Sequence, residues 1–167
     1  MCRPLAGSLT EGPMHRCSFR RIIVCHLAAA LWCQAAVAQA SSAAVATDSS
    51  SLAVVRAYFA IYNAHDIEGT VRLLAPDFRW LSAQGDSVVV EARGIPEIRA
   101  GLVDYFRRLP TARSEIEAAS ALGPWVMVRE RASWVTATGP RSQGAISVYE
   151  VRDGLLRSVW YYPSVRE

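Results

Sequence analysis

Trp125-Val126-Met127-Val128-Arg129-Glu130-Arg131-Ala132-Ser133-Trp134 alternates side-chain character with a period of two, which is the mark of a strand. One face carries Val126, Val128, Glu130, Ala132 and Trp134; the other carries Met127, Arg129, Arg131 and Ser133. Strand-like segments follow on both sides of it. Arg113–Ala121 precedes it, the strand itself runs on to Ala137, and Ala145–Val151 and Leu155–Tyr162 come after. Gly123-Pro124, Gly139-Pro140 and Asp153-Gly154 are the turns between them. A run of hairpins this dense at the C-terminal side implies an antiparallel sheet.

Upstream the period changes. Leu52, Val55, Tyr58, Phe59 and Tyr62 recur at helical spacing, predicting an amphipathic helix over Leu52–Ala64. Asp66 is a candidate N-cap for a second helix, with Glu68 favourable in its first turn and Pro76 helping to end it. Phe78–Leu81 reads as a short strand, and Ser87–Ala92, with three consecutive valines, as its hairpin partner. Gly94-Ile95-Pro96-Glu97 opens a third helix, whose stripe is Ile98, Leu102, Tyr105, Phe106 and Leu109 and which Pro110 closes. The order α-α-β-β-α-β-β-β-β implies an α+β domain with helices packed on one face of a sheet.

The chain has 167 residues, 51% hydrophobic and 20% charged, which suits one domain and excludes a disordered tail, a collagen-like repeat and a coiled coil. Arg16, Arg20 and Arg21 precede the apolar stretch Ile22–Val37, and Val37-Ala38-Gln39-Ala40 supplies a small-residue cleavage motif. These three parts predict a secretory signal over residues 1–40, cleaved after Ala40, with Met14 an alternative start. His26, Cys33 and Gln34 interrupt the stretch, which is short for a membrane span, so no stable span is expected after cleavage. All four cysteines lie in this leader, and Trp32 before Cys33 does not resemble a lipoprotein signal. Residues 41–167 then hold 14 Arg and 14 Asp plus Glu, with no Lys. A neutral chain argues against a nucleic-acid partner. Residues 41–51, rich in Ser and Ala, read as a flexible tether, and residues 164–167 as a tail.

Several sequence words occur in a telling order: Val54-Val55-Arg56-Ala57-Tyr58, Tyr62-Asn63-Ala64-His65-Asp66, Leu73-Leu74-Ala75-Pro76-Asp77-Phe78, Gly94-Ile95-Pro96-Glu97-Ile98, Tyr149-Glu150-Val151-Arg152-Asp153-Gly154 and Val159-Trp160-Tyr161-Tyr162. In that order, over residues 52–163, the chain resembles the nuclear transport factor 2-like superfamily, in its SnoaL-like branch. The resemblance implies a curved, mostly antiparallel sheet wrapped around three helices as a cone with a deep pocket. Its members include isomerases, cyclases, dehydratases, epoxide hydrolases and non-enzymes, so fold does not give function. Tyr58 matches the first-helix tyrosine of the oxyanion hole in ketosteroid isomerases. The base carboxylate of that branch would fall near Ser82 and its oxyanion-hole aspartic acid near Ser147, and both acids are missing. The carboxylate and arginine set of the epoxide hydrolases and the histidine pair of the dehydratases have no match either.

Glu130 is the one charged residue on the apolar face of its strand. Desolvation favours the neutral form of such a carboxyl, which suits a general acid or base; a purely structural buried glutamate, or a salt bridge at the sheet edge, is the plainer alternative. With Glu130, the expected pocket residues are Tyr58, Trp80, Ser82, Trp134, Ser147, Tyr149 and Tyr161, a wall suited to a small, moderately hydrophobic ligand. These aromatics could instead fill the cone as core. His65-Asp66 reads as an exposed histidine beside a capping aspartate, and Asp77 as a turn or cap residue. No metal spacing, phosphate-cradling glycine loop or nucleophile elbow occurs, so no metal or cofactor is implied. The far face of the sheet, with Trp125, Met127, Ile146, Val148, Trp160 and Tyr162, is apolar too, and the resemblance implies a homodimer through it. The sequence thus points to an exported binding protein without catalysis. The alternatives are an isomerase, cyclase or hydrolase using Glu130 and Tyr58, and a dimerisation or partner module with a filled cone.

Overall fold

A computed structural model describes residues 48–166. The leader expected over residues 1–40 and its cleavage site lie outside the described residues. Helix α1 covers residues 48–63, and α2 is Ile67–Arg72. Strands β1 (Leu74–Gln84) and β2 (Ser87–Arg93) form a hairpin that leads into α3 (Gly94–Arg108). Then come β3 (Arg113–Leu122), β4 (Trp125–Thr136), β5 (Gly139–Arg152), β6 (Leu155–Tyr161) and the short β7 (Val165–Arg166). The sheet order is β2-β1-β6-β5-β4-β3, with β7 pairing β5. Every pair is antiparallel except β1 with β6. The α+β architecture, helices on one face of a curved and mostly antiparallel sheet, is therefore as expected.

The curvature has local causes. Register breaks lie between Trp80 and Leu81 in β1, between Ile116 and Ala118 in β3, and between Glu150 and Val151 in β5. Each such irregularity bends its strand and increases the local twist. The sheet's concave side packs on all three helices. Val55 and Phe59 of α1, Val71 of α2, and Ile98, Leu102 and Phe106 of α3 meet Phe78, Val126, Val128, Tyr149, Leu156 and Val159 of the sheet in one buried cluster. Phe78, Val126, Val128, Leu156 and Val159 are nearly or completely excluded from solvent.

Several boundaries differ from the sequence reading. The tether expected over 41–51 is already helix at 48, where Asp48 accepts a hydrogen bond from Gly123 N–H and Ser51 Oγ donates to Gly123 O at 2.8 Å. Pro76 does not end α2, which stops at Arg72; it lies inside β1. The β1–β6 ladder is interrupted between Leu74 and Arg79, so the missing N–H of proline breaks no pairing there. Asp77 is likewise a strand residue, paired with Arg157 of β6. Strand β5 starts six residues before the expected Ala145, because its ladder with β4 runs unbroken to Thr136 and Gly139. Pairing with a strong neighbour overrides the poor strand propensity of Ser142-Gln143-Gly144. The expected tail at 164–167 contains β7, whose Val165 pairs with Gly144.

Two glycines are required by geometry. Gly94 opens α3 with φ +71°, a conformation that L side chains rarely adopt, and this lets the chain turn from β2 into the helix. The first turn is closed by Glu97, whose carboxylate accepts from Arg93 N–H at 2.7 Å. Gly69 sits in α2 with Asp66 Oδ1 accepting its N–H at 2.7 Å, so Asp66 is the N-cap expected from the sequence. A Cβ at Gly69 would lie 2.7 Å from Asp66 Cγ and 2.8 Å from Ile61 Cγ2. Gly69→Ala should therefore displace the cap and destabilise the domain by about 1–3 kcal/mol, despite the better helix propensity of alanine. Urea unfolding of the two proteins measures it, and equal midpoints would refute the packing argument.

Candidate functional site

The concave face of the sheet and the helices enclose a cavity of about 750 Å³. Helix α1 supplies Tyr58, Phe59 and Tyr62, and α3 supplies Ile98, Leu102, Tyr105 and, at its end, Arg108. The β1–β2 hairpin adds Trp80, Ser82 and Glu91; β4 and β5 add Glu130, Ala132, Ala145 and Tyr149. Tyr161 ends β6, and the following Tyr162, Pro163 and Ser164 reach the same cavity. Aromatic rings line it in close succession. Tyr58 stacks on Tyr62 with centroids 6.1 Å apart, Tyr58 meets Tyr149 at 5.8 Å, and Trp80 stacks on Tyr161 at 5.4 Å.

Glu130 is the buried charged group of this wall, 4% exposed. Strand alternation puts it on the concave face with Val126 and Val128, as expected. Its Oε2 accepts from Ser114 Oγ at 2.6 Å, and its Oε1 accepts from Ser147 Oγ at 2.9 Å. The neighbouring Arg129 and Arg131 point to the convex face, where both pair with Glu117. Among the described residues no salt bridge reaches Glu130. Its burial is compensated by neutral hydroxyl donors, one on each oxygen.

Ser114 is held for this role by α1. Asn63 Nδ2 donates to Ser114 O at 2.7 Å, and Ser114 N–H donates to Asn63 Oδ1 at 2.8 Å. His65 Nε2 lies 2.8 Å from Ala112 O, and its ring stacks on Phe106 at 4.0 Å. His65 is therefore half-buried packing at the end of α1 and not the exposed residue that the sequence suggested. Its φ of 55° lets the chain reverse into α2.

The cavity tyrosines are strongly perturbed. Burial raises the Tyr58 phenol well above its ordinary value, and the charges of Glu130 and Tyr105 act in the same direction. Tyr62 is raised by burial first and by Tyr105 next. Tyr149 and Tyr161 are raised by burial, with Glu130 contributing to both; their hydroxyls lie 3.2 Å apart. Burial thus holds all four in the neutral form.

The SnoaL-like domain family matches residues 55–159. The chain belongs to the SnoaL-like family. It carries the nuclear transport factor 2-like fold, and solved structures share that fold. A cystatin-fold protein from Novosphingobium aromaticivorans superposes with a TM-score of 0.57 at 26% identity, covering 66% of this chain and 96% of that one. A protein from Kribbella flavida described as a candidate ketosteroid isomerase gives a TM-score of 0.59 at 21% identity, covering 72% and 82%. An LEH-like epoxide hydrolase from M. tuberculosis gives 0.59 at 18% identity, covering 69% and 83%. No curated protein matches the sequence.

In this SnoaL-like protein the structure brings Tyr58, Trp80, Ser82, Glu130, Tyr149 and Tyr161 to one cavity. Ser147 is completely buried behind the wall, where its hydroxyl supports Glu130. Trp134 is not part of the lining. It shares a strand face with Glu130, but its cross-strand partner is Arg141, one step beyond the Ala132–Gln143 pair at the cavity's edge. Tyr162, expected on the convex face, lies past the end of β6 and lines the cavity instead. Ser114, Tyr62, Tyr105, Glu91, Glu97 and Arg108 were not singled out from the sequence as site residues. Tyr62 and Tyr105 sat in the helical stripes already read as core; the others depend on the register of β3 and the placement of α3.

The perturbed tyrosines set an alkaline limit. The unfolded chain ionises tyrosine near 10.0, and the folded protein ionises Tyr58, Tyr62, Tyr149 and Tyr161 only at higher pH. Their contribution to stability is complete below pH about 10 and is lost as pH rises above it. Tyrosinate absorbance from these four should appear only as the circular dichroism of the fold disappears. Full ionisation of all six tyrosines in a native spectrum would contradict the assigned burial.

Proposed function

We propose that this protein is exported and holds a small, moderately hydrophobic molecule in its cone-shaped cavity without transforming it. One observation carries the reading: an open cavity of about 750 Å³ whose buried carboxylate has a seryl hydroxyl on each oxygen. The volume suits a small organic ligand and counts against a cone filled by its own side chains. The donors around Glu130 suit a fixed polar anchor. The resemblance would put the isomerases' base near Ser82, a hydroxyl without acid–base strength near neutral pH.

The leader supports export, with cleavage after Ala40 releasing a protein that begins at Ser41 into the periplasm or the extracellular space. Among the described residues no helix is long and apolar enough to cross a membrane. Native mass spectrometry of the protein taken from its host's export compartment tests both parts together. The expected species starts at Ser41 and carries a non-covalent adduct. Gly101 lines the cavity, and a Cβ there would meet nothing within 4 Å; Gly101→Trp should fold normally and lose the adduct. A protein that never acquires a ligand, with the glycine or with tryptophan, would refute the binding reading.

A second reading has one observation in its favour: Tyr58 and Glu130 share the cavity. In an enzyme of the isomerase, cyclase or hydrolase type, Glu130 would move the proton and Tyr58 would donate to the developing oxyanion. Turnover of the retained molecule that falls by about 100-fold or more in Glu130→Gln would establish it.

We also propose a homodimer through the convex face of the sheet. Trp125, Met127 and Ile146 are exposed there and adjoin the half-buried Val148 and Trp160. Such an apolar patch is covered in most soluble proteins. Light scattering over a concentration series should give twice the chain mass, and Ile146→Glu should shift it to monomer. A wild-type monomer throughout would overturn the dimer.

A further inference from the structure

The charge inside the cavity is one-sided. Three carboxylates line it, Glu91, Glu97 and Glu130, against the single guanidinium of Arg108. That guanidinium is already engaged, with Nε 3.1 Å from Asp104 Oδ2. Glu130, the buried one of the three, faces the cavity with hydroxyl partners only among the described residues, while the arginines that flank it in sequence pair with Glu117 on the convex face. The desolvation of this carboxylate is incurred on folding, before any ligand arrives. A cation entering the cavity then gains the attraction in a poorly screened setting. An anion meets repulsion chiefly from Glu130; Glu91 and Glu97 are exposed at the cavity's edge, and the carboxylate of Glu97 accepts from Arg93 N–H.

The walls around that charge are ring faces and edges. Tyr58, Tyr62, Tyr149, Trp80 and Tyr161 are in mutual contact along the cavity. Electron-rich rings around a buried carboxylate form the setting in which alkylated ammonium groups are held, by cation–π attraction on the sides and an ion pair at the end. A bare inorganic cation has too few oxygen ligands here, since no group of metal-ligating side chains occurs among the described residues. The charge calls for a cation and the rings call for an apolar body.

We infer that the ligand of this cavity is an organic cation, an alkyl- or aryl-substituted amine or quaternary ammonium, whose charged nitrogen sits against Glu130 and whose apolar part lies among the tyrosines and Trp80. This rests on the binding reading above and specifies the ligand class. It makes Glu130 an anchor selecting charge, and it excludes carboxylates and phosphates of similar size.

The test compares two probes of equal shape, 3-hydroxyphenyltrimethylammonium and its neutral carbon isostere 3-tert-butylphenol, by calorimetric titration of the folded protein at neutral pH. The cation should bind roughly 10-fold more tightly than the isostere, and 3-hydroxybenzoate should not bind. In Glu130→Gln the cation's advantage over the isostere should shrink severalfold, through a loss confined to the cation. If the wild-type protein binds the isostere as well as the cation, the inference is overturned while the binding reading stands. If it binds neither, the inference falls, and the native mass spectrum decides the binding reading on its own. The wild-type ratio decides the matter without the variant should Glu130→Gln fail to fold.

Discussion

A carboxylate placed in the middle of a sheet's concave face dictates what surrounds it. Glu130 needs donors on both oxygens, and the fold provides them from the two strands that flank β4. Ser147 comes from β5 and Ser114 from β3. Supplying Ser114 depends in turn on Asn63, which fastens the end of α1 to the start of β3 through both backbone groups of that serine. The helix that contributes Tyr58 and Tyr62 is thereby registered against the strand that supports the carboxylate. Helix position, strand register and site charge are linked by one short chain of hydrogen bonds, and a slip in any of them would leave a buried polar group unsatisfied.

A shared fold does not fix the chemistry done on it, which depends on the particular groups lining the site. Here the residues standing where the isomerases are expected to have acids are Ser82 and Ser147, and the two have different fates. Ser82 faces the cavity. Ser147 is completely buried and has become a support for a carboxylate on the neighbouring strand. The polar centre of the cavity is therefore at Glu130, one strand away from where the resemblance alone would look for it.

The sequence made Glu130 visible because strand periodicity is exact over β4: every second residue from Val126 to Glu130 is buried, and those between are exposed. The helical stripes of α1 and α3 were legible for the same reason, and so was the Asp66 cap. What it concealed are features that depend on pairing across distance. The Ser114–Glu130 contact requires knowing that β3 slips register between Ile116 and Ala118. The early start of β5 follows from β4 and not from its own residues. Pro76 reads as a helix terminator until the break in the β1–β6 ladder makes room for it in a strand. The misplacement of Trp134 and Tyr162 has one physical root: alternation tells which face a residue takes but not where along the strand the cavity ends, nor where the strand itself ends.

The mouth of the cavity includes Tyr162, Pro163 and Ser164, and the strand that holds this segment, Val165–Arg166, is pinned to β5 by pairs at Gly144 and Gln143. This part of the lining thus comes from the C-terminal segment of the described residues. Helix α1, from the opposite end of the domain, forms the other wall. The two walls come from segments about a hundred residues apart in the sequence. No partial chain contains the enclosure. Any molecule held between α1 and this segment therefore needs both ends of the domain in place at once.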